Sequence, residues 1–371
     1  MKGGRRLNMA VVGACPFPVP QGSQVYLSET AANLAALGHD VRLVVYGHGE
    51  GEERRGLTIH RCPRLPGAAR MKPGPSIGKP VLDALLVRTL RKVVRRHGVD
   101  VVNAHNYEGL LVALAAGTRP IVYHAHNAMA DELPYYFRAK SAAARFGGWL
   151  DRTFPRKAGR IIVPHERLAQ YLADSGCARD AIEVIPPSVD VSEFEICEHR
   201  GETPPVLYTG NLDAYQNLDL LRRAMAIVRE ALPDAELQIA TDTLRDLPWA
   251  TVTPTPDFAA LKWTLRRDCV FVCPRVSWSG YPIKLLNAMA AGCAIVSCRS
   301  AAHPLTDRHD GLIVEDDDAE AFAKAILRLM RDAGFRRDLG DRARATAIAK
   351  HEPSLCARQF ESILTDACAG K

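Results

Sequence analysis

Short apolar runs alternate along the chain with longer stretches whose apolar positions recur every three or four residues. In the first half, Met9–Ala14, Val41–Tyr46, Val99–Ala104, Ile121–His126, Arg160–Pro164 and Ile182–Pro187 are apolar nearly throughout. They lack the in-and-out alternation of a sheet wetted on one side, so they read as strands covered on both faces. Between them, Val25–Leu37, Leu82–His97, Leu110–Ala116 and Glu166–Ser175 have helical spacing, and Gly38 stands where a helix C-cap belongs. The second half repeats the scheme. Val206–Gly210, Glu236–Ala240, Val270–Cys273, Ala294–Ser297 and Gly311–Val314 are predicted strands. Leu218–Ala231, Asp257–Trp263, Pro282–Gly292, Asp318–Asp332, Arg336–Ala349 and Pro353–Ala367 are predicted helices. Strand and helix in strict alternation predict an α/β chain with doubly wound parallel sheets.

Length divides this pattern in two. A chain of 371 residues exceeds what one hydrophobic core supports, and Glu193–Pro205, polar with two prolines at its end, reads as the linker. Residues 50–56 and 63–80 read as loops. No apolar run reaches the roughly 20 residues of a membrane-spanning helix, and the short basic Met1–Asn8 leads into a strand rather than a signal-peptide core. A cytoplasmic protein is expected, with its ten cysteines as free thiols.

The net charge of +6 conceals an asymmetry: residues 1–185 carry +11 and the remainder −5. The excess lies partly in Arg88–Arg96 and in Arg138–Arg160, where Phe146, Trp149 and Phe154 stand among the cations. Such a stretch suits an anionic membrane surface or a phosphorylated acceptor; a solvated helix face is the alternative. Nucleic acid is not expected, because no nucleic-acid-binding motif accompanies the charge.

One stretch carries more chemistry than the rest. Val270–Ser297 reads as strand, polar loop, helix and strand, with Pro282 in the first helical turn and Gly292 closing the helix. A loop and helix N-terminus after a parallel strand lie at the carboxyl edge of the sheet, where ligands bind. Within it, Gly280-Tyr281-Pro282-Ile283 and Ala288-Met289-Ala290-Ala291-Gly292 resemble the donor-binding signature of the family-4 retaining glycosyltransferases (glycosyl transferases group 1). The resemblance extends to the opening 46 residues, where a glycine-containing loop precedes a helix ending in Gly38-His39, and to Ile182–Asp190, similar to the turn by which that family enters its second domain.

The resemblance implies a GT-B fold, in which two Rossmann-like domains face an interdomain cleft: an acceptor-binding domain over residues 1–190 and a nucleotide-sugar-binding domain over 200–350, with the last helix, 353–368, packing back on the first. It also implies a metal-independent transfer with retention, and no cofactor. Gly22 is the glycine expected near the donor phosphates, and His126, with His124 in reserve, the histidine beside the transferred sugar. Two histidines two apart on a strand also suggest a metal pair, but no carboxylate or cysteine stands at a recognisable spacing, and no metal is expected. The donor is expected along Gly280, Tyr281, Pro282, Ile283, Lys284 and Leu285.

Four positions depart from the family pattern. Its two signature glutamates, one at the sugar and one at the ribose, are Ser279 and Asn287 here; its diphosphate-clamping arginine and lysine are Asn211 and Gln216. Arg275 and Lys284 are cations foreign to the pattern and stand where they can replace the lost pair. Two readings follow: a glycosyltransferase with a remodelled donor site, or a non-catalytic sugar- or nucleotide-binding member of the fold. Asp316-Asp317-Asp318 contains an Asp-x-Asp, but before a helix, where acidic residues cap free N–H groups.

Overall fold

The structure, a computed structural model, describes residues 6–19, 22–49, 56–65, 78–197, 204–243 and 245–369. Most of residues 50–56 and 63–80, read as loops, and part of the Glu193–Pro205 linker lie outside them. The chain divides into two compact units, Met1–Pro187 with Pro353–Lys371, and Ser188–Glu352.

In the first unit the chain runs β1 (Asn8–Gly13), α1 (Gly22–Ala36), β2 (Asp40–Val45), β3 (Thr58–Arg61), α2 (Lys79–His97), β4 (Val101–His105), α3 (Asn106–Ala116) and β5 (Ile121–His124). It continues through α4 (Met129–Glu132), α5 (Lys140–Thr153), β6 (Arg160–Val163), α6 (Glu166–Asp174) and β7 (Ile182–Val184). The seven strands form one parallel sheet in the order β3-β2-β1-β4-β5-β6-β7. The order reverses between β1 and β4, so the carboxyl ends of those strands flank the switch point at which α/β sheets bind ligands.

The second unit contains β8 (Val206–Thr209), α7 (Leu218–Ala231), β9 (Leu237–Thr241), β10 (Thr251–Pro254), α8 (Phe258–Leu265) and β11 (Val270–Cys273). It ends with α9 (Ile283–Ala290), β12 (Ala294–Cys298), β13 (Leu312–Val314), α10 (Ala319–Arg331) and α11 (Ala333–Lys350). Its six parallel strands run β10-β9-β8-β11-β12-β13, with the switch between β8 and β11. The uninterrupted apolar strands work as their pattern implies. Val270 and Val272 of β11 enter one core with Val206, Tyr208 and Val296, while Phe271 and Cys273 enter another with Leu207 and Ile295. Side chains of alternating direction thus fill both faces of the sheet.

The last helix, α12 (Pro353–Ala369), belongs to the first unit. Cys356, Phe360, Ile363 and Leu364 form its apolar stripe and join Leu27, Ala31 and Leu34 of α1 in one core. Val189, ahead of the expected linker, and Phe194 and Cys197 at its start are buried in the core of the second unit, and the boundary between the units falls at Pro187–Ser188. Two strands escaped the sequence pattern. β3 and β10 are four-residue edge strands with polar, partly exposed residues, too short and too wet to register as apolar runs. α1 starts at Gly22, three residues earlier than its amphipathic period, so Gly22 is the first helical residue and not part of a loop. The acidic trio is structural. Asp318 caps α10 by accepting from the Ala321 N–H, Asp316 accepts from the Ser300 N–H and hydroxyl, and Asp317 pairs with Arg223. All ten cysteines are free thiols.

Candidate functional site

At the switch point of the second unit, two loops meet beyond the carboxyl ends of β8 and β11. The first turns at Gly210, whose φ of +119° is open to glycine and strained for other residues. A Cβ there would also lie 3.0 Å from the Lys284 Nζ. The second runs from Pro274 to Pro282 and is tied to the first where the Val276 N–H donates to the Tyr215 carbonyl at 3.1 Å.

Four expected residues come together here, three of them in one hydrogen-bonded chain. Lys284, in the first turn of α9, donates to the Gln216 Oε1 at 2.8 Å; the Gln216 Nε2 donates to the Asn211 Oδ1 at 2.8 Å. Asn211 in turn donates to Asp213 and to the Tyr215 hydroxyl. The Lys284 ammonium also lies 4.1 Å from the centre of the Tyr208 ring. The fourth residue, Arg275, stacks its guanidinium 5.0 Å from the Tyr215 ring centre and donates to the Ser277 carbonyl and hydroxyl. A Cβ at Gly280 would collide with that guanidinium, so glycine is required for the arginine to lie against the loop. Neither cation pairs with a carboxylate among the described residues. Burial pushes the Lys284 ammonium down to about 7; the Cys273 thiol opposes the shift and the Arg275 charge adds to it.

The remaining signature residues have distinct places. Ser279 is fully buried. Pro282 caps α9, and Ile283 and Asn287 are half-buried on it. The Tyr281 ring stacks on His303 at 5.9 Å, and His303 contacts the Trp278 carbonyl. Leu285 departs from expectation: its side chain is in the core, and its N–H donates to the Pro282 carbonyl at 2.9 Å. It therefore has neither group available for a ligand, leaving the N–H groups of Ile283 and Lys284 at the helix N-terminus.

Gly22, exposed at the start of α1, and His126 belong to the first unit. His126 is buried beyond the end of β5, and its Nε2 lies 3.2 Å from the Nδ1 of His105, the last residue of β4. The His105 Nε2 lies 3.3 Å from the His124 Nδ1. Burial, with the neighbouring imidazoles, holds His105 and His124 well below the usual histidine range, and burial pushes His126 down to about 3. Sequence reasoning missed His105, Tyr208 and Tyr215. The first was legible as another histidine at a strand end on the same sheet edge; the tyrosines needed the ring contacts of the folded loops.

Comparison with known proteins assigns this architecture. Glycosyltransferase Family 4 matches residues 20–193 and Glycosyl transferases group 1 matches residues 203–332. The chain belongs to glycosyltransferase family 4. It is an enzyme of glycosyl transfer with the GT-B fold. Among its relatives are the phosphatidyl-myo-inositol mannosyltransferase of Mycolicibacterium smegmatis, 27% identical over 88% of this chain and 86% of the relative, and the D-inositol 3-phosphate glycosyltransferase of Pseudarthrobacter chlorophenolicus, 23% identical over 88% and 85%. Similar solved structures include sucrose-phosphate synthase from Thermosynechococcus elongatus, with a TM-score of 0.81 and 17% identity over 99% of this chain and 100% of that one. Anabaena HepE in complex with UDP and glucose aligns with a TM-score of 0.71 and 14% identity, over 97% and 100%. No helix among the described residues is long and apolar enough to cross a membrane.

The state of Lys284 gives a measurable consequence. A lysine half-deprotonated near pH 7 in the folded chain, against about 10.4 when unfolded, binds fewer protons folded than unfolded between those values. Stability therefore rises with pH across that window relative to a variant without the amine. Denaturant unfolding of the wild type and of Lys284→Met from pH 6 to pH 9 should show the wild type gaining on the variant. A difference independent of pH would mean an ordinary, solvated lysine.

Proposed function

We propose that this glycosyltransferase moves a sugar, mannose before others, from a nucleoside-diphosphate donor held by the second unit to a phosphate-bearing inositol acceptor at the first. Transfer proceeds with retention and without a metal ion. The observation that carries the donor reading is the pair of cations without carboxylate partners among the described residues, Lys284 and Arg275, at the switch point beside a glycine turn and a helix N-terminus. A diphosphate supplies the missing negative charge. It takes hydrogen bonds from the ammonium, the guanidinium and the free N–H groups of α9. The same groups stabilise the departing diphosphate, the part of this chemistry that a metal otherwise serves. Asn287 offers the ribose both a donor and an acceptor, whereas Ser279, fully buried, presents no surface to a sugar.

Mannose and inositol phosphate come from the names of the relatives. The first unit adds an electrostatic reason. Arg88, Arg91, Lys92, Arg95 and Arg96 of α2 line one surface depression. On α5, Phe146 and Trp149 stack at 5.7 Å while 55% and 49% exposed, with Arg145 and Arg152 on the same helix. The inner side of α5 is fixed by Asp151, which accepts from the Met129 and Ala130 N–H groups and the Tyr171 hydroxyl. A fixed helix with bare aromatic rings among cations suits the headgroup region of an anionic membrane, such as the inner face of the cell membrane, where a lipid-linked acceptor would be presented.

Calorimetric titration with GDP, UDP and dTDP, followed by transfer from each sugar conjugate to inositol phosphates, tests the reading. Saturable binding of GDP and mannosyl transfer are expected, and Lys284→Ala should weaken nucleotide binding at least about tenfold, the loss of one charge-assisted contact. Unchanged affinity in that variant would remove Lys284 from the site, and no nucleotide binding at all would favour the non-catalytic alternative. Separately, the wild type should sediment with vesicles containing an anionic phospholipid and not with neutral ones, and Phe146→Ser with Trp149→Ser should abolish this; equal sedimentation of the double variant contradicts membrane docking through α5.

A further inference from the structure

Parallel pairing sets His105 of β4 directly opposite His124 of β5, and His126 follows two residues later. Three imidazoles thus converge at one sheet edge, all buried, with ligand nitrogens lying within 4.8 Å of one another. We propose that His105, His124 and His126 form a binding site for a divalent cation of the zinc class.

The spacing is the first argument. Tetrahedral coordination at about 2.0–2.1 Å separates ligand nitrogens by about 3.4 Å; the His105 Nδ1 stands 3.2 Å from His126 and its Nε2 3.3 Å from His124, so either pair already has that separation, and one nitrogen from each ring lies within 4.8 Å of the others. Binding one ion asks His105 to give up one of its two imidazole contacts and the third ring to rotate inward. The second argument is what the present hydrogen bonds leave undone. A chain of three imidazoles leaves the His124 Nε2 and the His126 Nδ1 buried without a hydrogen-bond partner, and Asn103, two residues before His105 on the same face of β4, has both amide atoms in that state. Buried polar atoms without partners are rare, and a cluster of them marks a bound ion, water or chemical role.

The donor set decides the class of ion. Three imidazoles with no carboxylate or thiolate among them suit zinc, cobalt, nickel or copper, and offer nothing to magnesium or calcium, which require oxygen. Three protein ligands leave a fourth position open. The rings are also held by apolar neighbours: His124 lies 4.5 Å from Tyr26 and 5.0 Å from Phe360, and the Tyr26 hydroxyl donates to the Ile185 carbonyl. An ion bound here takes up the nitrogen of His126 and competes with any use of that residue at the sugar, a consequence that rests on the proposed transfer. The binding itself does not.

The test uses the full chain, stripped of metal and free of any histidine tag, with Co2+ as a visible probe and Zn2+ in calorimetry. One equivalent of cobalt should give the strong visible bands of four-coordinate ligation by three imidazoles and a solvent oxygen, and zinc should displace it and raise the melting temperature. His105→Gln and His126→Gln should each weaken binding by at least about 100-fold, since outer-shell changes alone cost about 10–100-fold. His309→Gln, exposed on the other unit, should leave it unchanged. Circular dichroism establishes that each variant is folded; should either substitution unfold the chain, His124→Gln takes its place. Absent cobalt bands in the wild type, or equal affinity in the folded histidine variants, would overturn the proposal, whatever the outcome for sugar transfer.

Discussion

The ammonium of Lys284 sits 2.8 Å from an amide oxygen and over the face of a tyrosine ring, with no carboxylate among the described residues to balance it. That arrangement costs free energy, because a half-buried cation gives up water for weaker partners. Much of the second unit's switch point is arranged around it. Gly210 leaves room above the Nζ, Gln216 presents its carbonyl, and Gly280 allows the other cation, Arg275, to lie flat against its loop. The two amides at Asn211 and Gln216 are then second-line groups: they orient the lysine instead of carrying the charge themselves.

The proposed exchange changes how the donor site is charged without changing its place in the fold. On the proposed reading, Arg275 on the β11 loop and Lys284 on α9 stand in for the cations that the family resemblance expects on the β8 loop, and β8 and β11 are neighbours across the switch point. Arginine and lysine are not equivalent in this role; on the proposed reading, a lysine with a lowered proton affinity also makes donor binding sensitive to pH around neutrality.

The sheet architecture was legible in the sequence because parallel strands buried on both faces leave an unmistakable apolar run, and the helices between them kept their period. β3 and β10 were not, since edge strands carry no such run. Of the site, the signature loop and the two foreign cations could be read from position, and they do lie near Gln216 and Asn211. Leu285 could not be read correctly, because a 3₁₀-like contact to Pro282 at the helix start has no sequence mark. The histidine cluster was half legible: His124 ends β5 and His126 follows two residues later, and His105 stands at the end of β4, but only the pairing of β4 with β5 shows that His105 lies opposite His124.

The central claim is that Lys284 and Arg275 hold the donor's diphosphate. Its most direct measurement compares, by calorimetry, the affinity of the preferred nucleoside diphosphate with that of the parent nucleoside, in the wild type and in the double variant Lys284→Met with Arg275→Met. The account predicts that the diphosphate's advantage over the nucleoside collapses in the double variant while nucleoside binding is little changed. An advantage that survives both substitutions would mean that the phosphates are held elsewhere, and would contradict the account.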